Sequence, residues 1–509
     1  MDESEEKLLN LRPIVLSAVF LAVGILCAYL SFLYSYFISV VFLSLLCVAV
    51  LLASVIKSKN KKKLQIFLCL ALIFFVLGQG FTYARINKAK NLTYHENYSQ
   101  FSGTVYDISF NDYGATIYLK DCTFASYKLN SKAVGFVFNN QIVPKMDIGA
   151  VMTFDCRIIN RVKAEDYSYK VFSGVYYSLE EITDIQITDF GGDFFELGYL
   201  NARQFLKKNL SKESYPMALA LLLGETNYYN ETAMQNYRFA GIAHVFAVSG
   251  LHIGVVVSLF TFLAKRIKLK RKITPFFILI PTLIYCGICG FRPSSLRAFF
   301  MATLTILANY IGFKKDNLSF VSLSAIVLLL LNPFNLFDYG FRLSYVAVIS
   351  IFALVPVFQR YAKPIKGLSD ALSVSLSAQI GTLPILCRMS GYMSIISVFI
   401  NVLFVPVAVC LYIIIFASFS LSAVLSLFFK NAGVVMVVGD YLISAVDFLI
   451  SKMQFSTFAI PVGFGVLEVI WYLGFACVCD YINLSGKRKL LIGCLTVIIT
   501  FVTAILISA

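Results

Sequence analysis

Two of the chain's three histidines, His244 and His252, fall in one short stretch, AGIAHVFAVSGLHIGVV (residues 240–256), with Ser249 between them. The stretch is too apolar for a surface loop and too polar for a plain membrane helix. Imidazole and hydroxyl groups inside a hydrocarbon-length run are costly, so they mark either a polar pathway or bonds between helices. On an unbroken helix His252 would lie about 80° from His244 and Ser249 about 140°. Val248 and Val255 share that wedge, so the face would be mixed. A break at Ser249–Gly250 would instead turn backbone groups toward a cavity. A serine protease would need a base within reach of its nucleophile, yet no histidine follows His252. There is also no His-Glu-x-x-His for zinc chemistry, so the chain is expected not to be an enzyme.

Arginines near the starts of two later apolar runs carry a second kind of chemistry. Arg292 and Arg297 flank Pro293, a residue suited to the first turn of a helix. Arg342 and Ser344 follow Asn332-Pro333 and Gly340. Helix amino termini with guanidinium groups beside them form a phosphate-collecting mouth; snorkelling to lipid headgroups is the plainer alternative. Gln379 and Asn401 are mid-span amides that line a path or clamp helices, and Glu225 suits a structural turn.

These groups must be positioned by lipid-embedded elements. The chain has 509 residues, 59% hydrophobic and only 14% charged, against about 25% charged in soluble proteins. Apolar runs of about 20 residues, the length of a membrane span, begin near Pro13, Tyr36, Leu64, Ala243, Thr274, Leu296, Ser319, Phe341, Ala371, Ile395, Val434, Gly463 and Leu490. About thirteen spans are expected, with 395–430 forming one bent helix or two. The first is read as a retained span, since the acidic MDESEEKLLN and the absence of a small-residue cleavage site do not suit a signal peptide.

Lys and Arg exceed Asp and Glu by 15. They gather in KSKNKKK (57–63), KRIKLKRK (265–272), FKKDN (313–317), QRYAKPIK (359–366) and GKRK (486–489). The positive-inside rule places these loops in the cytoplasm. The amino terminus is then cytoplasmic, 90–195 lies outside, and the span from Ala243 runs inward. Anionic lipid is the expected contact of these clusters, with nucleic acid the alternative.

Residues 98–190 change character. Short β-branched and aromatic runs such as FSGTVYDISF, GATIYLKDCTF and AVMTFDCRII alternate with turn residues, predicting an all-β extracytoplasmic module of about five strands, sized for an OB-fold. Tyr106, Phe110, Tyr113, Tyr118 and Phe124 would either stack bases or fill the barrel. Eight Lys and Arg against eleven Asp and Glu give the module a net charge of −3, which does not attract a polyanion. Ten of the twelve cysteines sit in apolar runs; Cys122 and Cys156 fall in this module and are expected to form a disulfide. Cys286 and Cys289 have CxxC spacing without a second pair, so neither a metal nor a cofactor is expected. After the barrel, LGYLNARQFLKKNL (197–210) is amphipathic and basic, suited to a membrane surface or a pore mouth.

The motif stretch has company. ALALLLGETNYYN (218–230) precedes it. GFRPSSLRAFFMATLTILANYIG (290–312), LNPFNLFDYGFRLSYVAV (331–348), SLSAQIGTLPI (375–385) and SVFINVLFVPV (397–407) follow. In this order they resemble the competence-domain signature of the ComEC family of DNA-uptake channels, and the β module resembles that family's amino-terminal OB-fold. The resemblance spans roughly 98–425. It implies import of single-stranded DNA across the bacterial cytoplasmic membrane in natural transformation. His244, Ser249, His252, Arg292, Arg297, Arg342, Ser344, Gln379 and Asn401 are then candidates for the strand's path. Many members add a metallo-β-lactamase-like domain; this sequence has no His-x-His-x-Asp-His cluster. Strand degradation is therefore expected from a separate nuclease. The absence of a Gly-x-x-x-x-Gly-Lys-Ser/Thr motif implies a cytoplasmic helicase-type ATPase or an ion gradient as the motor. An external DNA receptor or pilus would deliver the strand, membrane lipid surrounds the chain, and a homo-oligomer is compatible with the sequence. A transporter of a small solute or lipid-linked polymer is the alternative on the same scaffold.

The organisation expected from sequence is a polytopic α-helical membrane protein with an inserted β domain. Its parts are amino-terminal spans at 1–90, an OB-fold-like domain at 91–195, interfacial linker helices at 196–238, a channel core at 239–430, and carboxy-terminal spans at 431–509.

Overall fold

The computed structural model describes residues 13–34, 41–43, 61–92, 98–226 and 231–451 apart from short internal gaps, with isolated positions at 459–461, 471–472 and 496. Two helices open the chain, α1 (Pro13–Leu33) and α2 (Lys61–Lys90). They cross at close range because Gly24 lies on the Phe75 carbonyl and Gly78 on that of Leu21. Small residues let lipid-embedded backbones approach, and packing then replaces the absent hydrophobic drive.

The β module is a closed barrel. Its strands are β1 (Tyr98–Asn111), β2 (Gly114–Phe124), β3 (Tyr127–Lys128), β4 (Lys132–Val137), β5 (Ala150–Asn160) and β6 (Val175–Phe190), with the short helix α3 (Tyr169–Phe172) before the last. The order β1-β5-β6-β4-β2 returns to β1, which removes the open edges, with the two-residue β3 appended to β2. Only β4 and β6 run parallel. Burial alternates along β5, and the inward side chains make a core in which Phe101 and Phe154 stack at 5.2 Å.

The expected disulfide is not present: Cys122 and Cys156 are both free and buried. Cys156 of β5 pairs with Ser99 of β1, whereas Cys122 lies on β2, across the other edge of β1. Two strand spacings amount to about 9–10 Å, beyond the roughly 7 Å that a disulfide bridges. Burial pushes both thiols up to about 12.

The helices that follow are α4 (Phe194–Asn209), α5 (Tyr215–Leu223), α6 (Glu231–Ala240), α7 (Gly250–Arg266), α8 (Thr274–Ile288), α9 (Pro293–Ile311), α10 (Asn317–Leu331), α11 (Tyr339–Tyr361), α12 (Leu368–Ser390), α13 (Ser397–Leu425) and α14 (Val437–Ser451). Short 3₁₀ turns at Ala243–Val245, Pro333–Phe337 and Ala432–Met436 link some of them, and β7 (Tyr392–Ser394) pairs with β8 (Ala459–Pro461). The region 395–430 resolves as the single helix α13, with Pro406 inside it.

Among the described residues six helices are long and apolar enough to cross a membrane, and two more, at Thr274–Ile288 and Asn317–Leu331, are apolar but shorter. This is a membrane protein. The runs expected near Tyr36, Gly463 and Leu490 lie outside or almost outside the described residues. The stretch 196–238 divides in character. Helix α4 is capped by an Asp193/Glu196 box and exposes Lys207 and Lys208. Helix α5 is buried on every side, Met217 through Leu223, against Leu411, Tyr412 and Ile415 of α13.

The barrel sits on one end of the bundle. Val171 and Tyr176 pack with Ile86 and Ala89 of α2 and with Phe334, just before α11. Asp107 of β1 lies within electrostatic reach of Arg292, at the start of α9, and Arg203 of α4 pairs with Asp147. The starts of α9 and α11 therefore face the barrel.

Candidate functional site

The motif stretch does break where the second sequence reading placed the break. His244 lies in the 3₁₀ turn Ala243–Val245, and α7 begins only at Gly250. Gly241, at φ +76°, makes the preceding turn and lies against Ser397 so closely that a Cβ there would collide. The His244 ring is exposed, and its Nδ1–H donates to the Gly241 carbonyl at 3.0 Å.

Ser249 is the N-cap of α7, and His252 completes a capping box. The Ser249 hydroxyl accepts from the backbone N–H of Leu251 at 3.3 Å. The Ser249 backbone N–H donates to His252 Nδ1 at 3.1 Å. A backbone N–H only donates, so Nδ1 must be bare and the proton of the neutral ring sits on Nε2. That Nε2 is buried without a hydrogen-bond partner among the described residues. His252 is 1% exposed, and its ring meets Tyr412 edge to face at 4.4 Å. Behind it a polar chain joins three helices: Tyr412 donates to Tyr285 at 3.0 Å, and Tyr285 donates to the Leu222 carbonyl at 2.7 Å.

The arginines separate into different environments. Arg292 donates to the Gly224 carbonyl at 2.7 Å. Gly224 is the left-handed C-cap of α5, and a cation at the negative end of a helix is well placed. Arg297, five residues later, is 7% exposed. Its Nε donates to Ser344 Oγ at 2.6 Å and its Nη1 to Met301 Sδ at 3.6 Å, while the Tyr345 ring lies 5.8 Å away. Nη2 comes within 3.4 Å of where a Cβ on Gly250 would stand. No carboxylate pairs with Arg297 among the described residues. Arg342 is half-buried at the start of α11, with its guanidinium 6.0 Å from the Tyr339 ring.

The two amides behave differently from each other. Gln379 donates to Ser397, which donates on to the Ser394 carbonyl at 2.7 Å, so Gln379 ties α12 to α13. Asn401 has a buried Oδ1 without a hydrogen-bond partner. Glu225 is buried and accepts from Tyr199 at 3.2 Å.

The structure thus joins Arg297 to Ser344 and Ser249 to His252. His244 and Arg292 bond instead to the carbonyls of Gly241 and Gly224, and Gln379 to Ser397. Of the barrel aromatics, Phe124 and Phe110 belong to the core and its edge. Tyr106 lies under the Lys132 ammonium at 4.0 Å, and Tyr113 is 77% exposed. Met301 and Tyr345, which complete the Arg297 environment, were not singled out from sequence. The signal for Met301 is its i,i+4 spacing from Arg297; Tyr345 gave none beyond its place next to Ser344.

A family model described as competence protein matches residues 221–484, just over half of the chain. The chain is similar to ComE operon protein 3 of Bacillus subtilis, 32% identical over 202 residues that cover 40% of this chain and 26% of that protein. It is also similar to the uncharacterized protein MG316 of Mycoplasma genitalium, 33% identical over 200 residues covering 36% of this chain and 49% of that protein. An uncharacterized protein of Aquifex aeolicus matches at 27% over 228 residues, 44% of this chain and 51% of the relative. The matches therefore span between a quarter and a half of these curated relatives. No solved structure matches. The extent of the family match, together with the B. subtilis relative, makes this chain a member of the ComEC family of competence proteins.

Proposed function

We propose that this protein forms the membrane channel through which one strand of DNA enters a bacterium across the cytoplasmic membrane during natural transformation. The observation that carries the reading is Arg297. A guanidinium buried among three helices, with no carboxylate beside it among the described residues, is a charge that those helices do not neutralise. Such a group is costly unless an anion arrives, and DNA supplies one negative charge per nucleotide. Family membership supports the same reading.

The basic loops orient the channel with its amino terminus in the cytoplasm and the barrel outside, so the starts of α9 and α11 face the incoming strand. The barrel's closed five-strand order with one parallel pair supports an OB-fold. Its negative charge suits guiding and covering the mouth better than gripping the strand. The chain acts as a conduit and not as an enzyme. A nuclease removes the other strand, a helicase-type ATPase pulls from the cytoplasm, and a receptor or pilus delivers from outside.

The test is uptake of labelled DNA into the cytoplasm of a deletion strain complemented with this gene. Complementation by the wild type and its loss with Arg297→Ala, at equal protein abundance, are expected. Full internalisation without the gene would overturn the reading.

A further inference from the structure

We propose that Arg297, Ser344 and the first turn of α7 form a binding site for a single phosphodiester monoanion, one that discriminates against the dianion of a phosphomonoester. The proposal rests on the DNA-import reading for its biological setting, but its chemistry can be tested without it.

Arg297 has five N–H donors. One goes to Ser344 and one to the weak thioether acceptor of Met301. The remaining donors, including both on Nη2, have no acceptor among the described residues. Ser344 receives a hydrogen bond on its oxygen, so its hydroxyl hydrogen is free to donate to the same ligand. Gly250, the first residue of α7, puts no side chain of its own against Nη2, and the small Ala298 is the other neighbour there. The amino terminus of a helix carries about half a positive charge, which disfavours a guanidinium beside it and favours an anion between the two. The two features are independent and point to the same kind of ligand.

Charge balance selects within that class. The site offers one full positive charge plus a helix end, and no second cation is bonded to it among the described residues. An internal phosphate of a strand carries a single negative charge and neutralises the site. A terminal phosphate or a mononucleotide carries nearly two at neutral pH, and the surplus would be left in a poorly hydrated bundle, where uncompensated charge is expensive. A phospholipid headgroup is also a phosphodiester, so both sources share the chemistry and have to be told apart.

The experiment uses the full chain purified in maltoside micelles. Its probes are thymidylyl-thymidine, which has one diester, its uncharged methylphosphonate analogue, and thymidine 5′-monophosphate. The diester is expected to bind roughly tenfold or more tightly than the methylphosphonate, the scale of one lost charge-assisted contact. Arg297→Gln should abolish that difference. The monophosphate should bind roughly tenfold more weakly than the diester at pH 8 and approach it below about pH 6, where it becomes a monoanion. Equal binding of monoester and diester at pH 8, or undiminished diester preference in Arg297→Gln, would overturn the proposal. The wild-type analogue comparison needs no variant, so a misfolded variant does not blunt the test.

Phosphatidylglycerol added to the micelles separates the sources. Failure to displace the diester leaves the strand as occupant. Arg297-dependent displacement keeps the site, assigns it to lipid, and removes Arg297 from the import reading. Normal DNA import by Arg297→Gln would sink that reading while leaving the site intact.

Discussion

The barrel and the bundle treat charge in opposite ways. Around the barrel, cations meet anions: Lys120 bridges Asp193 at 3.0 Å and Glu196 at 2.8 Å, Arg161 meets Asp166 at 2.6 Å, and Arg203 pairs with Asp147. These groups are partly exposed, so pairing is easy and contributes little, typically under about 1 kcal/mol. In the bundle Arg297 has no such partner among the described residues, although burial makes one far more valuable there. Carboxylates and water settle charge at the barrel, whereas in the bundle our proposal leaves that role to a bound anion. Four experiments can break or sharpen this contrast.

The largest effect is expected from Arg297→Ala. Internalised DNA should fall roughly 100-fold, the scale of a lost charged contact of about 2–3 kcal/mol, with abundance held within twofold. A matching fall in abundance would make Arg297 a packing residue and erase the contrast. Arg342→Ala, at a half-buried position, should give a smaller loss.

Next comes the capping box. His252→Ala leaves the Ser249 backbone N–H unbonded inside the bundle, and uptake should fall roughly tenfold, in line with a cap worth about 1 kcal/mol or more. His252→Gln, which closes the same box, should restore most of it. If Gln fails where the abundance is normal, the imidazole does more than cap.

A smaller, pH-dependent effect belongs to the barrel side. Burial alone would raise the Asp193 carboxyl, but the Glu196 backbone N–H and Lys120 outweigh it and hold the group below its usual range. A depressed folded value means stability that is present above the ordinary carboxylate range and is lost as pH falls through it. Lys120→Ala should flatten the low-pH side of the thermal unfolding curve and lower Tm by only a few degrees. A steep change at neutral pH would contradict this assignment.

The smallest effect concerns the thiols. Cys122 and Cys156 should stay unreactive toward alkylating agents in the folded protein, and reduction should leave its stability unchanged. A mobility shift on reduction would restore the disulfide that the strand order rules out.

Some of this was open to reading along the chain. Period-two alternation betrayed the β module, and 20-residue apolar runs betrayed the spans, because burial imposes those patterns locally. The spacing around Ser249 and His252 already offered a helix break.

Other features were invisible one residue at a time. Arg292 and Arg297 look alike in sequence, yet one rests on the carboxyl end of α5 and the other lies beside the amino end of α7. Cys122 and Cys156 looked like partners until β1 was found between them. Gln379 turned out to be a clamp only because Ser397 packs against the middle of its helix.

The sequence by itself determined which segments are apolar enough to enter lipid, which form the barrel, and which side chains are chemically able to meet an anion. Only the tertiary structure decided which of those side chains already have a partner. Apolarity and turn chemistry act between neighbours along the chain, whereas the neutralisation of a buried charge depends on what distant helices bring to within about 3 Å.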